Sequence, residues 1–110
     1  MKKGEVSLLE NMKKIHFVGI GGAGMSAIAK ILVEKNFEVS GSDLHGSELV
    51  EKLRSQGAKI VQGHCGENVT GKDAIVVSTA ISSDNPEVVA ATAKGIKIFH
   101  RSDIVAALMN

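Results

Sequence analysis

The chain has 110 residues, 44% hydrophobic and 23% charged, with a formal net charge of +1. One domain fits that length, and folding would bury roughly 65% of the surface that the unfolded chain exposes. The near-neutral charge excludes a broad basic field for nucleic acid or an anionic membrane, and three Phe with no Trp or Tyr leave almost no stacking platform for single strands.

Residues 1–13 read as a leader with no assigned role. Charges alternate there with Val6, Leu8 and Leu9, and the apolar run of a signal peptide is missing. No stretch approaches the roughly 18 apolar residues of a membrane span. Cys65 is the single cysteine, so it has no intrachain partner and a reducing cytosol is the compatible compartment.

The domain itself runs over residues 14–110. A first strand is expected at 15–20, a nearly continuous apolar run of the kind that a parallel strand covered on both faces shows. His16 opens it and should face the end of the sheet away from any ligand. The run stops at Gly19, Gly21, Gly22 and Gly24, which include G-x-G-x-x-G spacing, and a helix pattern follows at once over 25–35. A diphosphate needs several backbone N–H groups aimed one way with no Cβ between them. Gly21 and Gly22 allow that approach, Gly24 lets the helix pack closely, and the helix N-terminus adds about half a positive charge. Ser26 adds a hydroxyl in the first turn. Asn36 is the expected left-handed stop.

A second strand is expected at 38–42. Asp43 ends it, 19 residues after Gly24, where an acid accepts hydrogen bonds from ribose hydroxyls in nucleotide sites. A turn aspartate would look the same. The next helix, 48–56, has Ser47 as N-cap and Gly57 beyond its end, with Glu48, Glu51, Lys52 and Arg54 as a solvated face. A third strand, 59–62, leads to His64, a candidate contact to a sugar or base. The spacing of the histidines and Cys65 matches no zinc pattern.

The fourth strand, 74–79, passes into the loop Ser78-Thr79-Ala80-Ile81-Ser82, which faces the glycine loop. A helix over 86–94 has Asn85 as N-cap, Pro86 in its first turn and Gly95 as its stop. A last strand, 97–99, precedes His100 and Arg101, a pair that suits an anion, and a final helix over 103–109 with Ser102 as N-cap. Parallel βα units of this kind give a Rossmann-like, doubly wound α/β sheet of about five strands in the order 3-2-1-4-5, with ligands at the carboxyl ends of the first and fourth strands. No nucleophile–base arrangement, pair of acids or Walker A loop is present. On these residues alone an NAD(H)-binding module remains a rival, although a full dinucleotide fold has six strands.

Four ordered blocks carry a more specific resemblance. They are the run from His16 to Ser26, the pentapeptide Val39-Ser40-Gly41-Ser42-Asp43, the run from Val76 to Glu87, and His100-Arg101-Ser102-Asp103. From about Lys14 onward the chain resembles the N-terminal domain of the Mur ligase family of peptidoglycan synthesis. The wording Gly21-Gly22-Ala23-Gly24-Met25 is nearer its alanine-adding branch than the branch that recycles muramyl tripeptides. The resemblance implies a site for the UDP part of UDP-N-acetylmuramic acid. Gly21, Gly22, Ala23, Gly24, Met25 and Ser26 would hold the diphosphate. Asp43 would lie by the ribose, and Thr79, Ala80 and Ile81 would line the nucleotide, with His64 in a more variable segment. It implies no catalytic residue, metal or cofactor in this domain. ATP and magnesium would belong to the central domain, whose P-loop would begin shortly after Asn110. The expectation is a cytoplasmic N-terminal domain that binds its ligand and catalyses nothing without the central and C-terminal domains.

Overall fold

Five short segments, four of them rich in Val, Ile or Phe, pair in parallel to form a single sheet. In the computed structural model, which describes Leu9 and residues 11–109, they are β1 (Lys14–Val18), β2 (Glu38–Asp43), β3 (Lys59–Gln62), β4 (Ala74–Val77) and β5 (Lys97–His100). Their order is β3-β2-β1-β4-β5. Four α-helices connect or follow them: α1 (Ala23–Glu34), α2 (Glu48–Ser55), α3 (Pro86–Lys94) and α4 (Arg101–Met109). A 3₁₀ turn, Gly66–Val69, falls in a stretch whose sequence carries no periodic signal.

Strand side chains alternate between faces, and β1 shows the consequence. Ile15 and Phe17 enter a core with Ile28 and Leu32 of α1, Val50 and Leu53 of α2, and Ile104 of α4. Val18 enters the opposite layer with Ile75 of β4, Ala91 of α3 and Val69 of the 3₁₀ turn. Both faces of the central strands are therefore covered, as their apolar runs require.

Caps set most element ends as the sequence reads. The Ser47 hydroxyl accepts from the Val50 N–H at 3.2 Å, and the Asn85 side chain accepts from the Glu87 N–H at 2.9 Å. Asn36 and Gly95 take left-handed φ values of 71° each just past their helices. Four ends move by two residues. The first helix begins at Ala23 instead of 25. The first strand stops at Val18, because Gly19 at φ 77° turns the chain and places Ile20 over Gly41. The fourth ends at Val77. The last helix begins at Arg101, directly on β5, and Ser102 is not its cap. His100 fills that role, with Nδ1 accepting from the Ser102 N–H at 3.1 Å, and Asp103 reaches back to the His100 N–H at 2.9 Å.

Most of the expected leader, residues 1–8 and 10, lies outside the described residues. Leu9 is 8% exposed, and Leu9 and Met12 pack on the core.

Candidate functional site

The glycine turn rests on β2. The N–H groups of Gly19 and Ile20 both donate to the Ser42 carbonyl, at 2.8 and 2.9 Å, and the Gly22 N–H donates to the Gly19 carbonyl at 3.0 Å. Asp43 latches the turn from the side. Its Oδ2 accepts from the Gly21 N–H at 2.8 Å and its Oδ1 from the His45 N–H at 3.0 Å. A carboxylate has about four acceptor positions, so each oxygen keeps capacity for a further donor.

Gly22 stands at the N-cap of α1 and has no side chain to cap it. The first-turn N–H groups of Gly24 and Met25 have no protein partner among the described residues, and the helix dipole concentrates positive potential there. Met25 is 2% exposed, with its side chain in the core, so it serves this site through its backbone. Ser26 is buried in the same turn, and its N–H bonds the Gly22 carbonyl.

The loop after β4 closes the opposite side. A Cβ on Gly19 would lie 3.3 Å from Ile81 Cδ1, so Ile81 packs on the turn while Thr79 and Ala80 stay exposed. Arg101 comes in above α1. A Cβ on Gly24 would lie 2.8 Å from Arg101 Nη1 and 2.9 Å from its Cδ. Arg101 forms no ion pair among the described residues. A guanidinium beside the positive end of a helix is an arrangement that a bound anion stabilises.

Beneath the turn lies a polar network that the sequence alone does not reveal. His16 is not at the far end of the sheet. It sits at 1% exposure in the middle of β1, with Nδ1 2.8 Å from Ser40 Oγ and Nε2 2.8 Å from Glu87 Oε1. Glu87 of α3 is fully buried. Its carboxylate also accepts from Ser42 Oγ at 2.7 Å, Asn68 Nδ2 at 2.6 Å and the Cys65 N–H at 3.1 Å. Burial pushes the Glu87 carboxyl up, but hydrogen bonds from His16, Asn68 and Ser42 outweigh it and hold the group down at about 2. His64 joins through Ser42, with Nδ1 2.8 Å from Ser42 Oγ. The available signal was a row of polar residues, His16, Ser40 and Ser42, inside strands that otherwise read as buried. Such a row demands a charged or polar partner.

The residues expected at the site therefore gather at one end of the sheet: the turn from Gly21 to Ser26, Asp43, His64, and the segment of Thr79, Ala80 and Ile81. His100 is engaged in capping α4. A surface depression of about 210 Å³ borders Asp43, and a larger one, about 340 Å³, opens at the amino ends of the strands around Lys14, Lys59 and Lys72. Neither is lined by the glycine turn. Among the described residues no group of three His, Cys, Asp or Glu could hold a metal ion, and no helix is long and apolar enough to cross a membrane.

Comparison with known proteins fits this geometry. The chain is 55% identical over 98 residues to the UDP-N-acetylmuramate–L-alanine ligase of Azoarcus sp. (strain BH72), a match that covers 89% of this chain and 21% of that protein. The chain thus spans about a fifth of the length of the curated relatives it matches. Its fold superposes on the UDP-N-acetylmuramate-alanine ligase of Thermotoga maritima with a TM-score of 0.81 at 37% identity, over 86% of this chain and 22% of that one. A UDP-N-acetylmuramate:L-alanyl-gamma-D-glutamyl-meso-diaminopimelate ligase from Neisseria meningitides gives 0.74 at 28%, over 82% and 29%. The model of the Mur ligase family, catalytic domain, matches residues 14–110. The chain belongs to the Mur ligase family.

Proposed function

We propose that this chain is the UDP-sugar-binding domain of an ATP-dependent cytoplasmic ligase that joins L-alanine to UDP-N-acetylmuramic acid in peptidoglycan synthesis. The observation that carries this reading is the uncapped start of α1, where the N–H groups of Gly24 and Met25 have no protein partner among the described residues, with Arg101 against Gly24 and Asp43 bonded to the adjoining Gly21. The diphosphate would accept from the N–H groups of Ala23, Gly24 and Met25, with Arg101 as a cation above it. The ribose hydroxyls would donate to the spare lone pairs of Asp43. Ile81, with Thr79 and Ala80, would wall the nucleotide. Among the solved structures, higher identity to the alanine-adding ligase of Thermotoga maritima, 37% against 28% for the Neisseria ligase, favours L-alanine over a peptide as the amine.

Catalysis would fall to other domains of the ligase. The 110 residues contain no G-x-x-x-x-G-K-[ST] loop, so no step through ATP or magnesium is assigned to them. Their part is to anchor one end of the substrate so that its carboxylate is presented elsewhere, a positioning contribution to the rate. Titrating ¹⁵N-labelled protein with UDP tests the site. The amide signals of residues 21–26 and Asp43 should move together and saturate. Shifts confined to the amino ends of the strands would refute the placement. The chain alone should show no alanine ligation.

A further inference from the structure

We infer that Glu87 and Ser42 are positioning residues that lock His64 as its Nδ1–H tautomer, so that the ring offers the ligand a bare Nε2, a hydrogen-bond acceptor. The ligand half of this inference rests on the nucleotide reading above; the tautomer half does not. Each step follows from donor and acceptor capacity.

An ionised carboxylate only accepts. Glu87 Oε1 therefore takes the single hydroxyl proton of Ser42 across 2.7 Å. With that proton committed, Ser42 Oγ can serve His64 only as an acceptor, so His64 Nδ1 carries the proton in their 2.8 Å contact. In the neutral ring Nε2 then has a lone pair and no hydrogen, and it makes no hydrogen bond among the described residues. The His64 side chain keeps 13% of its surface exposed, at the carboxyl edge of the sheet where Asp43 and the glycine turn lie. An acceptor there suits an N–H or O–H of the nucleoside and repels a phosphate oxygen. Anion contacts are thereby left to the start of α1, and His64 reads the neutral part of the ligand.

The other carboxylate oxygen makes the relay testable. Oε2 accepts from the Cys65 N–H and from Asn68 Nδ2, both obligate donors. In Glu87→Gln the amide oxygen must occupy that position, which turns the NH₂ towards Ser42 and His16. Ser42 then accepts from Gln and donates to His64 Nδ1, and the proton of His64 moves to Nε2. One substitution 23 positions away in sequence inverts a tautomer without touching the ring.

The experiment is ¹⁵N NMR of the imidazole nitrogens in the 110-residue chain at pH 8, with UDP affinity measured in parallel. Native protein should show His64 protonated at Nδ1 and bare at Nε2. Glu87→Gln should show the reverse and bind UDP about tenfold more weakly. If that variant does not fold, Ser42→Ala removes the acceptor, and His64 should revert to the Nε2–H form that free imidazole side chains favour. An Nε2–H form in the native protein, or an Nδ1–H form that survives both substitutions, overturns the relay. Native protein with the Nδ1–H form but no UDP binding would support the relay and refute the nucleotide reading. UDP binding with the Nε2–H form would do the opposite.

Discussion

Acid should remove one identifiable share of this domain's stability. Glu87 has a reference value of 4.5 and is held at about 2 in the fold; burial raises it, and hydrogen bonds from His16, Asn68 and Ser42 more than offset that. A carboxyl depressed by folding contributes stability that is fully present above its unfolded value and lost as pH falls through its folded one. The window is thus from about pH 4.5 down to about 2. The difference between those values, at roughly 1.4 kcal/mol per pH unit, is about 3 kcal/mol. A domain of this size has roughly 5–15 kcal/mol in total, so the loss is a substantial fraction. Asp73 acts in the same direction: its carboxyl is held low by the backbone N–H groups of Lys14 and Lys13. It is exposed, so its share is small. Urea unfolding at steps from pH 6 to pH 2 measures the slope. Glu87→Gln should be less stable than native protein at pH 6 and clearly flatter below pH 4.5, with Asp73 leaving a residual slope. Equal slopes in the two proteins would refute the account of the buried network.

Three other substitutions separate folding from binding. Gly41→Ala would place a Cβ 2.6 Å from Ile20 Cβ, an atom too near its backbone to swing away, and overpacking of this kind costs about 1–3 kcal/mol. Thermal unfolding should show a midpoint lower by roughly 4–8 °C per kcal/mol. Gly24→Ala meets the flexible end of Arg101 instead, and alanine is a better helix former by about 1 kcal/mol. Its melting temperature should hold or rise while UDP affinity falls more than tenfold. Arg101→Ala should leave folding intact and weaken UDP by about 10- to 100-fold, the worth of a charge-assisted hydrogen bond of about 1.5–3 kcal/mol. Fluorescence-monitored melting and calorimetry read both quantities.

The sheet was legible because local signals agreed with one another. Ser47, Asn85, Asn36 and Gly95 all punctuate helices in the structure as their chemistry implies. The glycine turn and Asp43 were legible as a pair, and the Gly21 N–H to Asp43 bond joins them physically. What escaped was long-range polar pairing. His16 and Glu87 lie 71 positions apart, and nothing local distinguishes a buried Glu87 from an ordinary acid in a helix's first turn. The cap of α4 escaped for a different reason. Ser102 is the standard cap residue by type, but β5 runs straight into the helix and leaves the task to the His100 ring. Gly41 was legible only as a glycine in a strand. Its need appears once Ile20 is seen packed upon it.

The central claim is that this domain grips a UDP-sugar. Calorimetry with UDP-N-acetylmuramic acid, UDP and NADH in parallel tests it most directly. The account predicts saturable one-to-one binding of the first two, weakened together more than tenfold by Gly24→Ala, and no heat with NADH. Binding of NADH by protein that ignores both uridine ligands would contradict it.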